Sequence, residues 1–209
     1  MSLPKAELGQ VFQGKFSAPK YQSGNPISRA LVQRFLRDIL DLVTITGATQ
    51  AHEVGCGEGQ ITGLLAQRGL TVRGSDISEE SLAVARAEAA RAGLNIQYDR
   101  RSIYELDPST DAAKLVLCCE VLEHLTEPEA AMRKLVLIAR KHVIVSVPRE
   151  PLWRVLNVCR MKYLTALGNT PGHLNHWSTG KFVRMVEKFL VVEQLRTPVP
   201  WTIICGRPR

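Results

Sequence analysis

Glu53-Val-Gly55-Cys56-Gly57-Glu58-Gly59 sets acids among three glycines at the junction of an apolar run and an amphipathic one. Glycine lets a backbone turn tightly and approach a ligand with no Cβ in the way. At the carboxyl end of a parallel strand, such a loop lies where open α/β sheets bind ligands. Asp76 closes the next apolar run, and a carboxylate there can accept both hydroxyls of an adenosine ribose. The spacing is Gly-x-Gly-x-Gly, with Gln at position 60, whereas a dinucleotide loop reads Gly-x-Gly-x-x-Gly. Glu53 would repel a diphosphate and attract an amino group. This acidic mouth suits a cationic sulfonium ligand better than a dinucleotide.

A second group of reactive side chains follows. Glu120-Val-Leu-Glu123-His124 comes after the run Leu115–Cys119, and His173 and His176 lie in Gly-His-Leu-Asn-His-Trp. Carboxylates and imidazoles together suit proton transfer or a hard metal ion. Glu123 has a plainer reading, in which acid and histidine brace the strand-to-helix turn. Glu120 and His124 follow the fourth strand and the later histidines follow the fifth, so both connections open on the glycine-loop side of the sheet. Glu120, His124 and either His173 or His176 are therefore expected to converge. With no dedicated third carboxylate, they are expected to work mainly without metal, His124 or His176 taking a proton from the acceptor.

The elements that must position these groups alternate as βαβ units. An amphipathic helix is expected over 27–42, then strands at 51–55, 71–76, 96–98, 115–119 and 142–147. Helices fall at 60–68, 78–92 (capped by Ser78 and ended by Gly93) and 128–139 (opened by Pro128). Helix 178–188 and strands 189–195 and 201–205 complete a hairpin-like finish. The rhythm breaks over 149–176, which holds Trp153, Arg154, Arg160 and Tyr163 and reads as a lid over the acceptor, or as plain packing over the core. The leader 16–29 is expected to fold over the cofactor from the other side, with Lys20 or Arg29 meeting a carboxylate and Tyr21 closing the pocket.

The 209 residues, 45% hydrophobic and 22% charged, suit one domain that builds its core without metal or disulfide staples. Five cysteines without a Cys-x-x-Cys pair point away from a thiolate zinc site and towards a reducing cytoplasm. No apolar run reaches the roughly 20 residues of a membrane span, and the first residues show no secretory h-region. The net charge of +7 is spread along the chain, as on a solvated surface, with an anionic or nucleic-acid partner as the alternative.

On these motifs the chain resembles the class I S-adenosylmethionine-dependent methyltransferases, in the type 11 group that includes quinone-biosynthesis enzymes. EVGCGEG at 53–59, GSDIS at 74–78, LVLCCEVLEHL at 115–125 and HVIVSVP at 142–148 carry the resemblance. It implies a Rossmann-like α/β fold, a seven-stranded sheet of order 3-2-1-4-5-7-6 with the last strand antiparallel. By position, Gly55, Cys56, Gly57 and Gly59 would form the cofactor loop beside Glu53. Asp76 would hold the ribose, Ile77 would pack on the adenine, and Ser102 and Ile103 would meet its edge. Cys118, Cys119 and Glu120 would pass the methionine and the transferred methyl. The family often has Asp where this chain has Ser102, and commonly Asp where it has Lys114.

The resemblance implies S-adenosyl-L-methionine as cofactor and a small-molecule acceptor. Glu120, Glu123 and His124, with His173 or His176, are also similar to the metal-binding E-x-x-E-H pattern of small-RNA 2′-O-methyltransferases, which keeps a metal-assisted RNA reaction as the alternative. The glycine spacing and the lack of a Tyr-x-x-x-Lys pair disfavour a nicotinamide oxidoreductase. An intact loop plus Asp76 disfavours a non-catalytic cofactor-binding subunit.

Overall fold

A computed structural model describes residues 26–159, 167, 170 and 172–209. Its elements run α1 (Pro26–Thr46), β1 (Gln50–Val54), α2 (Gln60–Gln67), β2 (Thr71–Asp76), α3 (Glu79–Arg91), β3 (Gln97–Arg100), the single turn α4 (Pro108–Asp111), β4 (Ala113–Cys119), α5 (Pro128–Ile138), β5 (Ala139–Pro148), α6 (Leu152–Cys159), α7 (Thr179–Val186), β6 (Leu190–Arg196) and β7 (Trp201–Pro208). They form one seven-stranded sheet, β3-β2-β1-β4-β5-β7-β6. β1 to β5 are parallel to one another, and β7 is antiparallel to both β5 and β6. This is the expected order and the expected Rossmann-like architecture.

Local chemistry sets the boundaries. Ser78 caps α3 by accepting from the Ser81 N–H at 3.2 Å, and Glu79 and Glu80 sit in the first turn, where the helix dipole favours acids. Pro128 opens α5, where its missing N–H is not needed. Two expectations need revision. β5 begins at Ala139, pairing with Ala113 ahead of a register shift, so the central pair is longer than its apolar core suggests. Leu152–Cys159 is a helix inside the stretch where the βαβ rhythm breaks and for which no helix was expected. Most of the leader, including Lys20 and Tyr21, lies outside the described residues, as do Arg160 and Tyr163. Arg29 is exposed on the first turns of α1.

The sheet is covered on both faces. Leu115, Leu117 and Cys119 of β4 pack with α1, α2, Ile144, Trp201 and Ile203. Val116 and Cys118 face the other way, onto α5, α7, Val143 and Val145. Alternation along a strand demands this split. A smaller cluster of Cys56, Leu82, Ala85, Ala89 and Tyr98 anchors α3.

Beneath the first strands lies a buried polar network. His52 is fully buried, with Nδ1 2.9 Å from the Asp111 carbonyl and Nε2 2.9 Å from the Ser75 hydroxyl. Burial, against the raising pull of that carbonyl contact, holds its pKa down at about 4. The fully buried Asp111 takes ion pairs from Arg73 (3.1 Å) and Arg101 (3.0 Å). No described helix is long and apolar enough to cross a membrane.

Candidate active site

The carboxyl ends of β1, β2 and β4 open on a cleft of about 560 Å³, within the size range of small-ligand sites. The loop after β1 forms its floor. Gly55 has φ +74° and a Cβ there would collide with Val121, so both conformation and space require glycine. Gly57 donates its N–H to Asp76 Oδ2 at 2.8 Å, and Ser78 donates its N–H to Oδ1 at 2.9 Å. Asp76 thereby fixes the loop against the start of α3, while each oxygen keeps a lone pair for a ligand. Glu53 is buried at the end of β1 and accepts from the Thr62 hydroxyl at 2.5 Å.

These residues fit the adenosylmethionine group that the sequence resemblance implies. The space beside the loop is one that a Cβ would fill, and two carboxylates line it. Ile77, 68% exposed, lines the cleft, and Ser102 and Ile103 line it too. Ser102 caps the short 3₁₀ turn Ile103–Glu105 with a reciprocal capping box. Cys119 also lines the cleft.

Two of the expected cofactor residues lie off the cleft wall, and a third lines it while packing its side chain in the core. Gly59 is not on the cleft wall; it sits at the N-cap of α2 with φ +78°, and a Cβ would run into Tyr98 and Ala85. Its task is close packing of helix against strand. Cys56 contributes to the cleft wall, but its side chain belongs to the buried α3 cluster. Cys118 is a correction: it is fully buried on the α5–α7 face and does not reach the cleft, because its neighbour Cys119 takes the cleft-side face. Burial first, then the charge of Glu53, raises the thiols of Cys56 and Cys119 far above the ordinary range. They stay protonated and are poor nucleophiles.

The other end of the cleft is built differently. Glu120 leaves β4 with φ +60°. Its carboxylate accepts from the Ser146 hydroxyl at 3.0 Å and from Trp201 Nε1–H at 2.7 Å, linking the ends of β4, β5 and β7. A 3₁₀ turn, Leu122–His124, follows, and His124 faces the cleft with Nδ1 3.0 Å from the Gly172 carbonyl. The His124 and His173 rings meet edge to face at 4.8 Å, and His173 stacks on Trp153 at 6.1 Å. Trp153 in turn lies 5.9 Å from Trp201, and Trp201 lies 4.8 Å from Phe35.

His176 is the second correction. It pairs with Glu150 at 3.5 Å and is absent from the cleft wall; His173, three residues earlier, meets His124 instead. One donor atom each from Glu123, His124 and His173 fall within 4.8 Å of one another. Sequence reasoning missed Trp201, Ser146 and Asn175, which hold these groups. Only Trp201 gave a signal, as a large amphipathic ring opening the last strand.

Residues 51–141 match the family described as a methyltransferase domain. The chain is 29% identical over 141 residues to a ubiquinone biosynthesis O-methyltransferase of Aeromonas salmonicida, a match covering 65% of this chain and 59% of that protein. A protein of the same description from Marinobacter nauticus is 30% identical over 158 residues, covering 73% and 64%. The matches thus span about three-fifths of these relatives' length. Magnesium protoporphyrin IX methyltransferase of Synechocystis PCC 6803, solved with bound S-adenosylhomocysteine, superposes with a TM-score of 0.70 at 20% identity, covering 90% of each chain. With the strand order and the glycine loop above, residues 51–141 are similar to a methyltransferase domain, and the chain shares the fold of that solved methyltransferase.

Proposed function

We propose that the chain is a class I S-adenosylmethionine-dependent methyltransferase that modifies a hydroxyl oxygen on a small-molecule acceptor of the ubiquinone-precursor kind. One observation carries the reading. The Gly172 carbonyl can only accept, so His124 Nδ1 carries the proton and the neutral ring keeps its lone pair on Nε2. A cleft-lining imidazole so arranged can take the proton that a hydroxyl must give up as it is methylated. Glu120, held by Ser146 and Trp201, fixes another part of the same wall. The loop Gly55–Gly57 with Glu53 and Asp76 would hold S-adenosylmethionine, which when bound supplies an electrophilic methyl group. Orientation of the acceptor then supplies much of the acceleration. Residues 149–176 read as the acceptor lid.

The test is label transfer from methyl-labelled cofactor to a panel of phenols, catechols, amines and thiols. Uptake confined to hydroxyl compounds and lost in His124→Gln supports the reading; uptake by amines or thiols alone sinks it. The Glu123–His124–His173 donor set favours one second reading, metal-assisted O-methylation, as in the RNA 2′-O-methyltransferases that the E-x-x-E-H segment resembles. With Nδ1 engaged, His124 would offer Nε2 to the ion. Activity abolished by chelator and restored by magnesium or manganese would select that reading.

A further inference from the structure

His124 is held by a strap. Over 172–175 the chain runs along the turn Leu122–Leu125 and bonds to it repeatedly. Gly172 offers its carbonyl to His124 Nδ1 at 3.0 Å. The Leu174 and Asn175 N–H groups both donate to the Glu123 carbonyl, at 2.8 and 3.0 Å. The Asn175 side-chain amide donates to the Leu122 carbonyl at 3.3 Å and the Leu125 carbonyl at 2.6 Å. One amide therefore brackets the two residues, Glu123 and His124, that lie between those carbonyls. Asn175 is half-buried and absent from the cleft wall.

We infer that Asn175 is a positioning residue: by pinning the strap to the turn it keeps the Gly172 carbonyl on His124 Nδ1 and so decides which ring nitrogen is basic. This rests on the reading of His124 as proton acceptor. The alternatives at Asn175 are limited by hydrogen-bond chemistry. Both partners are carbonyls, so only a donor serves, and the amide supplies two protons from one nitrogen. Without it, the strap's bonds to the turn are the two backbone bonds to Glu123 and the Gly172–His124 contact itself. The Gly172 carbonyl, three residues back at a glycine with φ +86°, is then free to swing away. The ring would lose the contact that selects Nδ1–H, and a base with its lone pair on the wrong nitrogen is ineffective.

The strap also reaches α6. Thr170 accepts from Trp153 Nε1–H at 2.9 Å and from the Asn157 amide at 3.2 Å, and its carbonyl accepts from the His173 N–H at 3.1 Å. α6 therefore bears on the strap from one side while Asn175 fixes it from the other.

The experiment is nitrogen-15 spectroscopy of histidine-labelled full-length protein at mildly alkaline pH, which reports which ring nitrogen of His124 carries the proton. Wild type is expected in the Nδ1–H form. Asn175→Ala is expected to move most of the population to Nε2–H and to lower kcat by about 10-fold or more, with S-adenosylhomocysteine affinity changed less than about twofold. A wild-type ring in the Nε2–H form overturns the proposal. So does an Asn175→Ala protein that loses thermal stability yet keeps the Nδ1–H form, since that is a purely structural role. Should Asn175→Ala fail to fold, Asn175→Gln, which keeps the amide on a longer arm unable to span both carbonyls in place, gives the same reading. Undiminished methyl transfer in His124→Gln would sink the proton-acceptor reading while leaving the tautomer result standing, so the two failures are distinct.

Discussion

The two ends of the cleft are made of different materials. At the end proposed for the cofactor, backbone amides and two carboxylates sit at strand ends, backed by a network of His52, Ser75, Asp111, Arg73 and Arg101. At the end proposed for the acceptor, His124 stands on a 3₁₀ turn outside the sheet, and its Nδ1 lies 3.0 Å from the carbonyl of Gly172, which follows β5 in the chain. The first is fixed once the parallel strands align. The second can be altered without touching the sheet. A fold that binds one cofactor and many acceptors needs that separation.

His124→Gln should break the comparison most sharply. It should cost about 10² to 10⁴ in kcat and leave S-adenosylhomocysteine affinity nearly unchanged by calorimetry; a parallel loss of cofactor binding would show that the two ends are one unit.

The next effect belongs to the cofactor end and to acid. Native His52 is neutral down to about pH 4, whereas in the unfolded chain it protonates near its ordinary value of 6.5. As pH falls between those values, only the unfolded state takes up the proton. Stability is therefore full above 6.5 and declines towards 4, by about 3 kcal/mol at about 1.4 kcal/mol per unit. Urea unfolding across that range should show the decline in wild type and a flatter curve in His52→Asn. Equal slopes would remove His52 from the account.

Asp76→Ala comes third. Each charge-assisted hydrogen bond to the ribose contributes roughly 1.5–3 kcal/mol, so S-adenosylhomocysteine should bind about 10- to 100-fold more weakly, with the thermal midpoint of the free protein little changed. The smallest effect concerns the lid. Amides of α6 should exchange faster than those of β4, and should slow by about tenfold when S-adenosylhomocysteine and acceptor are both present. An α6 as protected as β4 from the start would count against a moving lid.

What the sequence disclosed follows the same division. β2, the Ser78 cap, the Pro128 start and the glycine loop were legible because each is a local rule of chain geometry. Asp76 was legible because it ends a strand beside that loop. Cys118 and Cys119 were not separable, since a central strand buried on both faces has no polar alternation to mark which side faces a ligand. His173 and His176 could not be ranked, because their placement rests on the path of the strap and not on spacing. α6 was missed although Leu152, Val155, Leu156 and Cys159 recur at helical spacing, masked by Trp and Arg that read as lid chemistry. Asn175 carried no signal at all: its partners are carbonyls, which every residue possesses.

The position of β7 between β5 and β6 bears on how the chain is made. During synthesis β6 emerges before the strand that joins it to the sheet, so its hydrogen-bonding groups and the outer edge of β5 wait unpaired. Trp201, which holds Glu120, arrives at the same late moment. A nascent chain halted before residue 201 would thus already carry the glycine loop and His124, yet would lack both the strand that closes the sheet and the indole that fixes the acceptor wall. On the ribosome, the capacity to hold cofactor would precede the capacity to use it.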